Sequence, residues 1–541
     1  MKKTLIFTAL FATAWLSGAA YTVHGTVATP DGRPIANVPV TDGDTIVVTD
    51  NNGIYRMDSN KRLGYVWYTV PSGYQPVTDG VFPQIHRYTV KPDSIDEQLD
   101  FTVLPAPNQD KYKVAFLGDI HLARMRDDLR QFREVMADFT AWRDSFPDTP
   151  VFAVTLGDMT WDKHWYKKHM KLDDYAKEIN RVVKGITIYQ TIGNHDNDMR
   201  GTDNATAKSP FRHIIAPNYY SFNIGHVHYV ILDDIDCSEY DGSEKRRYSE
   251  RVVNEQLDWL RRDLALVDPA TPIIIASHAP VFHPTGIDTF VKKLENADAL
   301  LNIIGDRTVH FVTGHIHKTY NILPSHSVTD GHNVYEHNVA AVCSDWWYSG
   351  MHTPGCLVST DGSPAGFSVW DIDGTSISDV YRPFFAGDNV QFHAYDLNNV
   401  KFTLDDVPEL KDKDVQDFYM QYCRFFTGSQ DNKVLINVWN YNPEWTVTIT
   451  TADGVSLPVK QVQAYDPLHL MATTTRLFNK PINKKPWITT SFFPHFFEVQ
   501  CPDADTDITI TVTNGFGRKF TQTMHRPMPF TPEQYAKKPR K

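Results

Sequence analysis

Five short polar signals interrupt apolar stretches of this chain, in the order Gly118-Asp119-Ile120-His121, Gly157-Asp158, Gly193-Asn194-His195-Asp196, Ser277-His278 and Gly314-His315-Ile316-His317. Carboxylates, a carboxamide and imidazoles are donors suited to transition metals. Their mixture favours Zn, Fe, Mn or a similar first-row ion over an all-oxygen Ca or Mg cage. A carboxylate such as Asp158 can bridge two cations roughly 3.5–4 Å apart. Such a pair lowers the pKa of a bound water and stabilises charge developing on a phosphoryl group. In extended backbone, residues i and i+2 point the same way. Asp119 with His121, and His315 with His317, are therefore expected to aim two donors each into one cleft. The glycine before most of these donors is expected to permit a sharp turn out of a strand.

The elements that must position these donors can be read around them. Lys113 to Leu117, Val151 to Leu156, Ile186 to Ile192, Tyr229 to Leu232, Ile273 to Ala276 and Val309 to Thr313 read as buried strands. Leu129, Phe132, Met136 and Phe139 recur at helical spacing, as do Leu257, Leu260 and Leu264 within Asn254 to Leu266. Strand and helix alternate from 110 to 362, which predicts an α/β core. Four of the five signals directly follow an apolar strand, where polar side chains converge on a crevice. Gly225-His226-Val227-His228 repeats the last motif but precedes a strand, so it reads as a turn, not as ligands. Asp233, Asp234 and Asp236 read as a solvated or capping stretch.

The flanks have another grammar. Tyr21 to Ala28 alternates, a turn follows at Pro30 to Pro34, and further short strands predict an N-terminal β-sandwich over 21–105. Its pattern resembles transthyretin-like and carboxypeptidase-regulatory-like modules. From 365 to 541, alternation such as Thr446 to Thr451 and Ile508 to Asn514 predicts a mainly β C-terminal domain. Lys2 and Lys3, the apolar run Leu5 to Leu16 and Ser17-Gly18-Ala19-Ala20 read as a signal peptide over 1–20, hence an exported, periplasmic or secreted protein. No later segment reads as transmembrane. The formal net charge of −12 argues against a partner as polyanionic as long nucleic acid. The five cysteines show no metal-binding spacing and read as buried spectators, although Cys343 and Cys356 could pair.

The ordered string D-x-H, G-D, G-N-H-D, H, G-H-x-H resembles the signature of the calcineurin-like metallophosphoesterase superfamily. The flanking β segments, together with Ser344-Asp345-Trp346-Trp347 and Asp361-Gly362-Ser363-Pro364-Ala365-Gly366, resemble an exported bacterial type within it. The resemblance implies a metallophosphoesterase-like β-sandwich flanked by helices. It also implies two divalent metal ions, with Mn, Fe and Zn as candidates. Asp119, His121, Asp158 and His317 would hold one metal, and Asp158, Asn194, His278 and His315 the other. His195 would face the substrate as the catalytic residue, oriented by Asp196, Asp198 or Asp162.

The expected activity is phosphoester hydrolysis by a metal-bound hydroxide, with a slight lean to diesters over monoesters. A small nucleotide, phosphorylated glycan or lipid head group is the expected substrate class. The alternative from another class is a glycan- or partner-binding β-module protein with a relic core. Trp161, Trp165, Tyr320, Trp346 and Trp347 lie near the motifs, and aromatic faces could flank a substrate group. Of these, Trp346 and Trp347 are candidate substrate contacts, with Arg124 as a candidate phosphate holder.

Overall fold

The computed structural model describes residues 22–536, so the expected signal peptide lies outside the described residues. Two sheets form the central layers. The first runs Ile188–Gln190, Val151–Thr155, Lys111–Leu117, Gly366–Asp373, Ser376–Pro383. The second runs Tyr220–Ile224, Val227–Ile231, Ile273–Ala276, Val309–Thr313, Val334–Asn338, Tyr320–Ile322. In the first sheet the three strands from Ile188–Gln190 to Lys111–Leu117 pair in parallel and the pairings beyond are antiparallel; in the second the four inner strands pair in parallel and both edge strands are antiparallel.

These runs are strands because branched and aromatic residues fill both faces, as expected when a sheet is covered on both sides. Ile273–Ala276 is buried throughout. The sheets meet through interleaved aromatics. Tyr189 stacks on Phe222 at 3.6 Å between centroids, Trp370 meets His337 edge to face, and the hydroxyls of Tyr112 and Tyr229 lie 2.8 Å apart. On the outside, Asp128–Asp144 buries Phe132, Val135, Met136, Phe139 and Trp142 along one stripe, and Asn254–Leu264 buries Leu257, Leu260 and Leu264.

One expected boundary moves. The sequence reading assigns the chain beyond 365 to the C-terminal domain, yet Gly366–Asp373 pairs with Lys111–Leu117 in the middle of the first sheet. Its residues read as a strand without showing which sheet they join, because pairing partners are set by tertiary contacts.

The N-terminal unit has two small sheets. One is built on Val23–Ala28 and Phe101–Pro105, the other on Pro39–Thr41 and Tyr65–Tyr68. It docks on the second central sheet, where Thr69 Oγ1 meets Ser221 Oγ at 2.9 Å and Trp67 packs against Tyr219 and Trp259. The C-terminal unit has a sheet ordered Phe392–Asp396, Lys433–Val438, Phe493–Gln500, Val459–Ala464, and another built on Thr446–Thr451, Ile508–Thr513 and Lys519–Met524. No helix among the described residues is long and apolar enough to cross a membrane. All five cysteines are buried and unpaired with one another.

Candidate metal centre

The loops after the central strands are tied to one another through their backbones. The Asp158 carbonyl accepts from the amides of Ile120 and His121, Gly314 N–H donates to the His278 carbonyl, and Cys343 N–H donates to the Asp119 carbonyl. Asp128, at the start of the first long helix, accepts from the Ala123 amide at 2.6 Å and holds the chain just beyond His121.

Within this frame Asp119, His121, Asp158, Asn194, His278, His315 and His317 come together. His121 Nε2 lies 3.0 Å from His317 Nε2, and His317 Nε2 lies 3.4 Å from the Asp119 carboxylate. On the other side His278 Nε2 lies 2.9 Å from Asn194 Oδ1 and 3.0 Å from His315 Nδ1. Asp158 Oδ2 stands between the two groups, 3.3 Å from His121 Nε2 and 3.4 Å from His278 Nε2.

The manner of convergence differs from expectation. Asp119, His121, Asp158, His315 and His317 all have positive φ, between 51° and 70°. The paired donors are therefore brought inward by left-handed turns, not by alternation along an extended strand. Non-glycine residues rarely adopt this conformation, and such strain persists where surrounding contacts enforce it. The glycines serve close approach as much as turning. A methyl on Gly193 would overlap the Asp158 amide and carboxylate, and one on Gly157 would come within 2.7 Å of His278 Nδ1.

The donor chemistry fits cations. His278 Nδ1 is 2.8 Å from the Leu156 carbonyl, and His317 Nδ1 is 2.7 Å from the Ser344 carbonyl. A carbonyl only accepts, so each Nδ1 carries the proton and each Nε2 offers a lone pair inward. His315 Nε2 faces Glu250 Oε1 at 3.3 Å, which turns Nδ1 inward. The His278–His315 contact thus sets two ring lone pairs against each other at 3.0 Å, a repulsive arrangement unless a cation lies between them, and buried His121 Nδ1 finds no hydrogen-bond partner. The local field favours positive charge: burial opposes charge on His278, yet Asp158, Asp119 and Asp234 outweigh it, so that without a cation the imidazole is lifted to about 10 and takes up a proton instead. Cys343 also enters this neighbourhood, with Sγ 3.6 Å from His317 Nδ1.

His195 lines the edge of the cage: its ring is 4.9 Å from that of His121, its backbone N–H donates to Asp158 Oδ1, and its Nε2 is near enough to His121 and Asp158 to share a cation with them. Its Nδ1 lies 2.8 Å from Asp162 Oδ1, and its Nε2 faces Asp158 Oδ2 at 4.0 Å. Among the three carboxylates open at the sequence level, the structure selects Asp162. Arg246 grips Asp162 through two nitrogens. Burial works against charge on Asp162, but His195 and Arg246 hold its carboxyl below the usual range. Asp196 instead braces the loop, accepting from the amides of Gly193, Met159 and Thr160. Asp198 accepts from Tyr166 Oη.

The remaining candidates are distributed less simply. Trp346 stacks on His317 at 4.0 Å between centroids. Trp347 is buried and donates to the Ile120 carbonyl at 2.9 Å, a packing role beneath the loop. Arg124 pairs with Asp174, while the neighbouring Arg126 lies over the rings of Trp161 and Tyr348. His226 is exposed beside Asp110, and His228 is buried against Asp263 in the dock for the N-terminal unit. Asp233 and Asp234 are not solvated. Asp233 receives Lys208 and Asn218, and Asp234 caps the Ala279 amide just beyond His278. Glu250 and Arg246, which orient His315 and Asp162, carry no spacing signal in the sequence and become visible only through the fold.

Comparisons with known proteins agree with this arrangement. Family models described as the N terminal of calcineurin-like phosphoesterase, calcineurin-like phosphoesterase, and the C terminal of calcineurin-like phosphoesterase match residues 21–106, 112–319 and 336–520. Purple acid phosphatase 15 of Arabidopsis thaliana is 25% identical over 188 residues, 32% of this chain and 30% of the relative. Purple acid phosphatase 23 of the same plant is 24% identical over 258 residues, 41% of this chain and 51% of the relative. The matches thus span about half the length of these relatives or less. A dimetal phosphatase from Danio rerio aligns at 15% identity and a TM-score of 0.34, covering 50% of this chain and 96% of that one.

Proposed function

From a chain that belongs to the calcineurin-like phosphoesterase superfamily and is a phosphoester hydrolase, we propose a dinuclear metal-dependent enzyme acting on small phosphoesters, diesters in preference to monoesters. The observation that carries the reading is Asp158, whose Oδ2 lies between the His121–His317 and His278–His315 pairs and so can bridge two cations. Asp119, His121 and His317 would complete one site, and Asn194, His278 and His315 the other, for Mn, Fe or Zn. When bound, two such ions would supply Lewis acidity towards a phosphoryl oxygen and a nucleophile at neutral pH.

The chain's own residues do the rest. Asp162 accepts from His195 Nδ1 and leaves Nε2 facing the site, where it can hold a proton. Breaking the P–O ester bond leaves charge on the departing oxygen, and His195 Nε2 donates its proton there. Arg246 keeps Asp162 in place and ionised. The acidic net charge supports a small substrate over long nucleic acid. Lys2, Lys3 and the apolar run after them support export. The relatives named purple acid phosphatases favour a monoesterase as the second reading.

The test is a metal-reconstituted assay on paired mono- and diesters. Asp158→Asn should lose metal and activity together. His195→Ala should keep metal and lose about 10²–10⁴-fold in rate, as expected of a general acid. Full activity in Asp158→Asn would refute the two-metal reading.

A further inference from the structure

The C-terminal unit places Trp487 at the rim of the metal centre. Trp487 is 60% exposed and is the only tryptophan so exposed among the described residues. Single exposed apolar residues are ordinary, so exposure alone says little. Its neighbours say more. The indole lies edge to face with Trp346 at 4.9 Å, Trp161 at 5.9 Å and Tyr348 at 6.4 Å between centroids. Trp346 stacks on His317, and Trp161 meets His121 and His195 at 5.9 and 5.8 Å. Trp487 is therefore one ring layer above the side chains that would hold the cations and the proton.

The same rim is tied to the C-terminal unit from below. Asp345, next to Trp346, accepts from Thr473 Oγ1 and lies 3.4 Å from His469 Nε2. Arg126 lies over Trp161 and Tyr348 and puts a cation at the rim, while the exposed loop before Trp487 carries Lys480, Lys484 and Lys485, the last turned onto Phe418. Cations beside an aromatic rim attract an anionic ester, while the rings offer faces and edges to what the ester carries.

We propose that Trp487 is a specificity residue: braced by buried Trp161, it forms with the partly exposed Trp346 a stacking platform for a flat aromatic ring on the substrate's leaving group, a nucleoside base or a simple aryl group. This rests on the phosphoesterase reading above. Stacking of a base on an aromatic side chain contributes enough that its removal weakens binding about 5- to 150-fold.

The experiment compares wild type with Trp487→Ala and Trp487→Phe in the metal-loaded full chain. Substrates are matched phosphoesters of adenosine, a nitrophenyl group and glycerol, with adenosine binding measured separately by calorimetry. Trp487→Ala should raise KM for the ring-bearing esters about 5- to 150-fold, with kcat held within about twofold. It should leave the glycerol ester unchanged, and Trp487→Phe should recover most of the loss. A loss on adenosine esters alone assigns the platform to nucleosides, and a loss on both ring-bearing esters assigns it to flat rings in general. Equal effects on ring-bearing and glycerol esters, or adenosine binding that survives Trp487→Ala undiminished, would overturn the proposal. Absence of turnover on every ester in wild type would instead remove the phosphoesterase reading, with the adenosine arm still deciding the platform.

Discussion

Asp162→Asn removes one charge from the pair that orients His195 while keeping its shape. In the wild type, Asp162 Oδ1 lies 2.8 Å from His195 Nδ1, and Arg246 holds the same carboxylate from the other side. A hydrogen bond to a charged group contributes about 1.5–3 kcal/mol. If that stabilisation is what holds the imidazole with Nε2 aimed at the leaving oxygen, kcat should fall about 10- to 150-fold. The ceiling is the effect of removing the imidazole itself, about 10²–10⁴-fold. The decisive design is a double-mutant cycle on a chromogenic diester, with bound metal quantified for each variant. Without the imidazole, Asp162 has nothing to orient, so adding Asp162→Asn to His195→Ala should cost less than about twofold further. Fully multiplicative losses would refute the claim that Asp162 acts through His195. Loss of metal from Asp162→Asn would move Asp162 into the cage.

Glu250→Gln should weaken metal affinity about 10- to 100-fold, because the carboxylate 3.3 Å from His315 Nε2 fixes which ring nitrogen turns inward. Metal titration of the apo protein checks this, and unchanged affinity counts against it. Gly193→Ala should destabilise the fold by about 1–3 kcal/mol and lower metal content, since the new methyl overlaps Asp158. A wild-type denaturant midpoint would show that the loops yield freely. Glu336 is buried among the Val281 and Phe282 amides and Thr313, and burial pushes its carboxyl up from 4.5 to about 8. The folded state then binds more protons than the unfolded state across that range. Its contribution to stability is complete below pH 4.5 and lost as pH rises through 8. The difference in unfolding free energy between wild type and Glu336→Gln should follow that slope, and a pH-independent difference would refute it.

The metal-ligand candidates could be read from the sequence because each belongs to a short motif after an apolar strand, and a strand's end is a local property. The same holds for His195, which sits inside Gly193-Asn194-His195-Asp196. The decoy at His226 and His228 could be set aside because it opens a strand instead of ending one, and Val227–Ile231 takes in His228. The sequence likewise announced an α/β core between β flanks, because periodicity records which faces are buried.

Tertiary structure decided whatever depends on pairing distant segments. A strand-like run such as Gly366–Asp373 does not name its partner, so its place beside Lys111–Leu117 emerged only on folding. Local patterning suggested extended backbone at the paired donors, whereas contacts among loops hold Asp119, His121, His315 and His317 in left-handed turns. The choice of Asp162 over Asp196 and Asp198, the bracing of His315 by Glu250, and the arrival of Trp487 at the rim share one cause. Each is a contact between segments far apart in the chain, and sequence spacing carries no information about such a distance until the sheets have packed.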